Sequence, residues 1–330
     1  MAYGNKYSIL ARLISGALLA TSIVTTATAQ AQANWPTKPI RVVVAFAPGG
    51  GVDVMMRHLT QPLADLLGQS VVVDNKPGAS GLVAAQEVSR AAPDGYTILS
   101  TATSTETAAP FLLKTDVNPA KELLPLAGIG RFQLSVIVRP GLAAKNIRDL
   151  VAMAKANPDK MTYASSGPGT TPHLVGELFL QQAGIQVRHI PYKGSNPAMQ
   201  ATIAGETDFV FDPGLAFPHV RAGRGQILAV ASDKRTPAFP DVPTVAEAGV
   251  PGVNIDTWVG LWYPLNTPAD IVNRFNAALA KVLARQDVKD KYAVLSGEAL
   301  FVPQAQYREL LAKEAQVQSA LIKNRKITAE

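Results

Sequence analysis

The chain has 330 residues, no cysteine, 47% hydrophobic and 17% charged residues, and a formal charge of +6. Such a composition can build a large core, argues against extensive disorder, and excludes disulfide staples, thiol nucleophiles and thiolate metal sites. The Lys and Arg residues are scattered rather than gathered into a basic stripe. The charge therefore reads as solubility plus mild attraction for small anions, and nucleic acid is not expected as a partner.

The N-terminus carries Lys6 and Arg12, then an apolar run from Leu13 to Val24, then small-residue sites at Ala27-Thr28-Ala29, Ala29-Gln30-Ala31 and Ala31-Gln32-Ala33. This is the pattern of a cleaved secretory leader over residues 1–33. The run is shorter than the roughly 20 residues that span a bilayer, so a permanent anchor is the weaker reading. An exported, periplasmic protein is expected, beginning between Gln30 and Asn34. No later segment is long and apolar enough for a second span, so the mature chain is not expected to cross a membrane.

The remainder alternates strand and helix. Ile40-Arg41-Val42-Val43-Val44-Ala45-Phe46 is a β-branched run that reads as a buried strand. A glycine loop then leads to a helix over 52–67, closed by Gly68. Strands follow at 71–74 and 96–100, separated by a helix over 81–90 and punctuated by Asn75-Lys76-Pro77-Gly78 and Ala92-Pro93-Asp94-Gly95. The middle repeats the theme, with strands at 134–138, 161–164, 187–190, 208–211 and 227–231. Its helices are expected at 147–156, 172–183 and 197–204. After a strand near 258–263, the tail reads as helices at 268–284, 288–295 and 304–323. Alternation of this kind predicts an α/β fold with parallel sheets covered by helices on both faces. The number of strands favours two sheets. Domain 1 would then be discontinuous, over 34–133 and 230–330, with domain 2 over 134–229 and crossover strands near 127–138 and 226–231.

Three loops at strand ends are candidate ligand contacts. The first, Ala47-Pro48-Gly49-Gly50-Gly51-Val52-Asp53, follows a strand and opens a helix. Its glycines admit close backbone approach, and free N–H groups at a helix start favour an anion. A tight turn with no ligand is the alternative. The spacing fits neither a phosphate loop nor a dinucleotide fingerprint, and no cofactor is expected. The second loop runs from Ser165 and Ser166 through Gly167, Pro168, Gly169, Thr170 and Thr171 to Pro172 and His173. Thr171 before Pro172 fits an N-cap. The third, Ser100-Thr101-Ala102-Thr103-Ser104-Thr105, lies beyond the carboxyl end of a strand, where open α/β sheets bind ligands. Together they predict one cleft rich in neutral donors, suited to a carboxylate that must bind and then leave.

The candidate ligand-binding residues are Phe46, Pro48, Gly49, Gly50, Asp53, Thr101, Thr103, Ser166, Gly167, Gly169, Thr170, His173, Tyr192 and Asp212. Tyr192 sits either on the cleft or at the core edge. Asp212 either bonds a ligand hydroxyl or amine, or holds the turn before Pro213-Gly214. Ser165 or Ser166 with His173 and Asp212 can be imagined as a hydrolytic triad, but the nucleophile-elbow pattern is missing. His58, His173, His189 and His219 lack metal-ligand spacing, so no metal is expected.

The same stretches carry a family likeness. It spans Trp35-Pro36-Thr37-Lys38-Pro39, Phe46-Ala47-Pro48-Gly49-Gly50-Gly51-Val52-Asp53, Asn75-Lys76-Pro77-Gly78-Ala79, Ala92-Pro93-Asp94-Gly95-Tyr96-Thr97, Tyr163-Ala164-Ser165-Ser166-Gly167, Pro191-Tyr192-Lys193-Gly194 and Asp241-Val242-Pro243-Thr244. The chain resembles the solute-binding receptors of tripartite tricarboxylate transporters, also called Bordetella uptake gene proteins. The resemblance implies a clamshell of the periplasmic-binding-protein type II kind, two α/β domains joined by two crossover strands. It also implies a small organic carboxylate held by the two strand–helix loops, with Gly49, Gly50 and Asp53 matching the first loop and Ser166, Gly167 and Thr170 the second. The implied partners are that ligand and membrane transporter subunits, the receptor acting as a monomer without catalysis. A sensor for a membrane signalling kinase, or less readily an exported hydrolase, are the alternatives. Ala45, Val52 and Phe211-Asp212-Pro213-Gly214 depart from the family pattern.

Overall fold

The computed structural model describes residues 35–329, and the predicted leader lies outside them. In chain order the strands are β1 Ile40–Val44, β2 Val71–Asn75, β3 Thr97–Ala102, β4 Leu123–Phe132, β5 Ser135–Val138, β6 Thr162–Ser165, β7 Arg188–Pro191, β8 Phe209–Asp212, β9 Gln226–Val230, β10 Thr257–Pro264 and β11 Gly297–Val302. The longer helices are α1 Gly51–Leu67, α2 Leu82–Ser89, α3 Ile147–Ala156, α4 Thr171–Ala183, α5 Ser195–Ala204, α6 Ala269–Leu283, α7 Gln286–Ala293 and α8 Gln304–Arg325.

Two sheets form. One has the order β11-β4-β10-β3-β1-β2, the other β7-β6-β8-β5-β9. Neither is fully parallel, which corrects the sequence expectation. β1 pairs in parallel with β2 and β3, but β10 runs antiparallel to β3 and β4, and β4 antiparallel to β11. β5 is likewise antiparallel to β8 and β9. Only units with a helical crossover need parallel partners. β4 leads to β5 through Gln133 and Leu134 alone, so the chain passes from one sheet to the other with no helix between. Its return begins beside that crossing, where the Ala231 N–H donates to the Leu134 carbonyl at 2.7 Å.

Local chemistry accounts for the helix that matters most. Val52, Met55, Met56, Leu59, Leu63 and Leu67 recur at helical spacing and are all buried, so α1 presents one continuous apolar face to the sheet. Gly68 adopts a left-handed conformation (φ 75°) and returns its N–H to the Ala64 carbonyl, ending the helix. The tail folds back on the first sheet, with Tyr307 and Leu311 of α8 in the principal core. β11, at the edge of the first sheet and mostly half-buried, escapes a period-based reading. Among the described residues no helix is long and apolar enough to cross a membrane.

Candidate functional site

A pocket with about 330 Å³ of empty space, its mouth included, opens between elements of the two sheets. Phe46, Gly50, Gly51, Val52, Ala102, Ser104, Phe132 and Thr257 line it from the first, and Ser166, Thr170, Thr171, Pro172 and Ser195 from the second. Gly51, Thr171 and Ser195 are the first residues of α1, α4 and α5. First-turn N–H groups have no intrahelical partner, and the helix dipoles add positive potential, so three helix starts meet at one place suited to an anion. Two such starts are expected from sequence. The third, at Ser195, lay unrecognised behind Tyr192-Lys193-Gly194.

The first loop is held from behind. Asp53 is buried, and its carboxylate accepts from the Gly49 N–H (2.8 Å), the Arg57 Nε (2.9 Å) and the Asn75 Nδ2 (2.9 Å). Asp53 is thus engaged with its own chain and orients the loop without lining the pocket. Gly49 has φ +74°, a left-handed backbone that favours glycine, and lies close against the Asn196 side-chain amide.

The second loop braces itself. Ser166 Oγ donates to Thr170 Oγ1 at 3.0 Å, and Thr170 Oγ1 donates to the Gly167 carbonyl at 2.6 Å. Thr170, rather than the expected Thr171, is the N-cap of α4, because Pro172 occupies the second helical position and not the first. Gly167 (φ +126°) lies where a Cβ would meet Ser80 Oγ at 2.9 Å, so the two lobes approach closely there.

Of the sequence-predicted residues, Phe46, Gly50, Ser166 and Thr170 meet in the pocket wall. Gly167 and Tyr192 line an adjoining groove with Lys193 on the far side of Phe46 and Ser166. Pro48 lies beside the cleft, its carbonyl accepting from Asn196 Nδ2. Thr101 bonds Thr105 at 2.6 Å, the Thr103 carbonyl starts the following helical turn, and Gly169 packs on Ala109. His173 is buried, and its Nδ1 accepts the Gly169 N–H at 3.0 Å. Asp212 Oδ1 accepts from the Gly214 and Ala216 N–H groups at 2.8 and 2.9 Å, and burial pushes this carboxyl up to about 7. It holds the turn that sets Pro213 against Gly51.

The imagined triad is not assembled. Ser165 meets His189 Nε2 at 2.6 Å instead of His173, and Asp212 is occupied by backbone. Ser165 is fully buried, and burial lowers His189 to about 4, so the pair faces no substrate.

Ser104 and Thr257 also line the pocket, though neither is among the candidate residues. They are 1% and 3% exposed, and among the described residues neither hydroxyl has a hydrogen-bond partner. Ser104 belongs to the hydroxyl run after β3, a usable signal. Thr257 opens β10 and joins the same lining only through strand pairing, which no local pattern reveals.

The sequence profile described as the tripartite tricarboxylate transporter family receptor matches residues 55–327. The chain belongs to that receptor family. The solved periplasmic binding protein BugD is 31% identical, with a TM-score of 0.85 over 89% of this chain and 99% of its own. Rpa4515 of R. palustris, solved with adipate, is 30% identical with a TM-score of 0.86, over 89% of this chain and 99% of its own. MatC of Rhodopseudomonas palustris, solved with malate, is 29% identical with a TM-score of 0.83, over 87% and 100%. The two mixed sheets are therefore those of a two-domain clamshell, and the family is one of solute-binding receptors, periplasmic binding proteins among them.

Proposed function

We propose that this receptor captures a small organic carboxylate in the cleft and delivers it to a tripartite tricarboxylate-type membrane transporter. The observation that carries the reading is the convergence of the α1, α4 and α5 N-termini on one pocket whose lining contains no Lys, Arg or His. Neutral amide and hydroxyl donors hold a carboxylate without an ion pair, so its release to a transporter requires no charge separation. The adipate and malate carried by the two relatives support this ligand class.

In this reading the domains are 34–133 with 230–330, and 134–229, hinged at the paired crossings beside Leu134 and Ala231. The cleft is closed by bonds between its two sides. The Ala47 N–H donates to the Lys193 carbonyl (3.2 Å), Asn196 Nδ2 to the Pro48 carbonyl (3.1 Å) and Ser80 Oγ to the Pro168 carbonyl (2.6 Å). Residues 1–33 would direct export to the periplasm.

Thermal unfolding against a carboxylate panel tests the proposal. A bound ligand stabilises the folded chain by about 2.7 kcal/mol at one hundred times Kd and is recovered chemically unchanged. No shift with any carboxylate, or conversion of one to product, would overturn it.

A further inference from the structure

Two hydroxyls in the pocket lining carry information about the body of the ligand. Val259 pairs with Ala102, and the Thr103 N–H donates to the Trp258 carbonyl at 3.0 Å. Thr257 and Ser104 flank this contact, one residue before Trp258 and one after Thr103, and both line the pocket. Two hydroxyls thus belong to one lining, both buried and, among the described residues, both without a hydrogen-bond partner. A buried hydroxyl left unpaired is costly, so a site that retains two of them is matched to a polar group from the ligand.

What surrounds them limits the charge of that group. The rest of the lining is neutral: Phe46, Val52, Ala102, Phe132 and Pro172 are apolar, Ser166, Thr170, Thr171 and Ser195 bring hydroxyls, and no Lys, Arg or His takes part. The nearby Lys193 belongs to the adjoining groove, beyond Phe46 and Ser166. Once the helix starts hold one carboxylate, a second in this lining would be desolvated with hydroxyls but no cation to offset it. A neutral oxygen meets no such penalty, and Ser and Thr hydroxyls can each donate and accept.

We infer that Ser104 and Thr257 form a specificity pair, selecting a monocarboxylate that bears a neutral hydroxyl or carbonyl group over a dicarboxylate. The inference rests on the receptor reading above and refines its ligand class.

The test is calorimetry with matched sets of three- to six-carbon acids: unsubstituted monocarboxylates, their hydroxy and keto derivatives, and dicarboxylates including malate and adipate. A hydroxy or keto monocarboxylate is expected to bind at least about tenfold more tightly than its unsubstituted parent and than the dicarboxylate of equal length. Ser104→Ala and the isosteric Thr257→Val should each collapse that preference toward unity, with circular dichroism and thermal midpoints confirming that the variants fold. A dicarboxylate binding tightest, or a preference unmoved in both variants, defeats this inference while leaving the receptor reading intact. If no carboxylate binds at all, both fall together.

Discussion

His173 and His189 stack face to face, ring centroids 4.3 Å apart and planes within 20°, behind the second ligand loop. Tyr163 continues the stack at 4.9 Å from His189 and donates to Glu177 Oε1 at 2.6 Å. The two imidazoles reach the loop from opposite ends: His173 accepts the Gly169 N–H, and His189 bonds Ser165, whose Oγ accepts the Gly167 N–H at 3.1 Å. Burial keeps both rings neutral, lowering His173 to about 3, with the neighbouring His189 adding to the effect, and His189 to about 4.

That arrangement has a pH signature. The unfolded chain takes up protons near pH 6.5, whereas the folded pair does so only near 4 and 3. Their contribution is therefore complete above 6.5 and lost as pH falls from there toward 4, by at most about 1.4 kcal/mol per pH unit for each imidazole. His189→Phe keeps a ring in the stack and removes one titrating group. Denaturant melts from pH 7 to 4.5 should show the variant losing less stability than wild type across that interval. Parallel losses would mean that His189 does not titrate abnormally.

Glu314 has the opposite sign. Among the described residues its Oε2 has no hydrogen-bond partner, and burial pushes the carboxyl up to about 7, opposed by a bond from Thr103. The folded chain holds this proton between about 4.5 and 7 while the unfolded chain has released it, so stability drains as pH rises through that window. Glu314→Gln should gain on wild type by at most about 1.4 kcal/mol per pH unit from 4.5 to 7. Melts at pH 5 and 8 check it, and an equal gap at both would refute the assignment.

Removing the Asp53 side chain should loosen the first loop. Asp53→Ala takes the acceptor from the Gly49 N–H and one of two acceptors from the Asn75 amide, which still donates to the Phe46 carbonyl, while Arg57, half exposed, regains water. A stability loss of about 1–2 kcal/mol is expected, with carboxylate affinity falling more than about tenfold. Lost stability with intact affinity would show that the loop keeps its shape without this carboxylate.

Gly50→Val probes the pocket directly. Gly50 has φ −74° and ψ 163°, open to any residue, and a Cβ would lie 3.2 Å from the Ala47 carbonyl and 3.9 Å from the Ser195 N–H. The fold should survive while the branched side chain fills the space between two helix starts. Calorimetry should show affinity reduced by more than about 100-fold, and an unchanged Kd would place the ligand elsewhere.

The elements legible in the linear chain are those whose signals are local. Gly68, Gly184 and Gly205 mark helix ends because a left-handed terminus favours glycine, and all three close helices where expected. The run of β-branched residues in β1 and the glycine loop after it likewise announce a strand, a turn and a helix mouth. β11 was invisible because Gly297-Glu298-Ala299-Leu300-Phe301-Val302 shows neither period clearly. Sheet direction was misjudged for a different reason: β4 crosses between sheets with no helix to dictate a parallel partner.

Local steric and hydrogen-bonding preferences are written residue by residue, so composition, caps, turns and the two glycine-rich loops can be read directly. The roles of distant residues cannot, because they depend on what burial and strand pairing bring together. Asp53 and Asp212, candidate ligand contacts by position, are drawn onto backbone N–H groups that folding would otherwise leave unpaired. Ser104 and Thr257, 153 positions apart in number, line one pocket only when β10 zips antiparallel onto β3. Desolvation of groups gathered from remote parts of the chain is a property of the folded solid, and it is there that the shape and polarity of the pocket are decided.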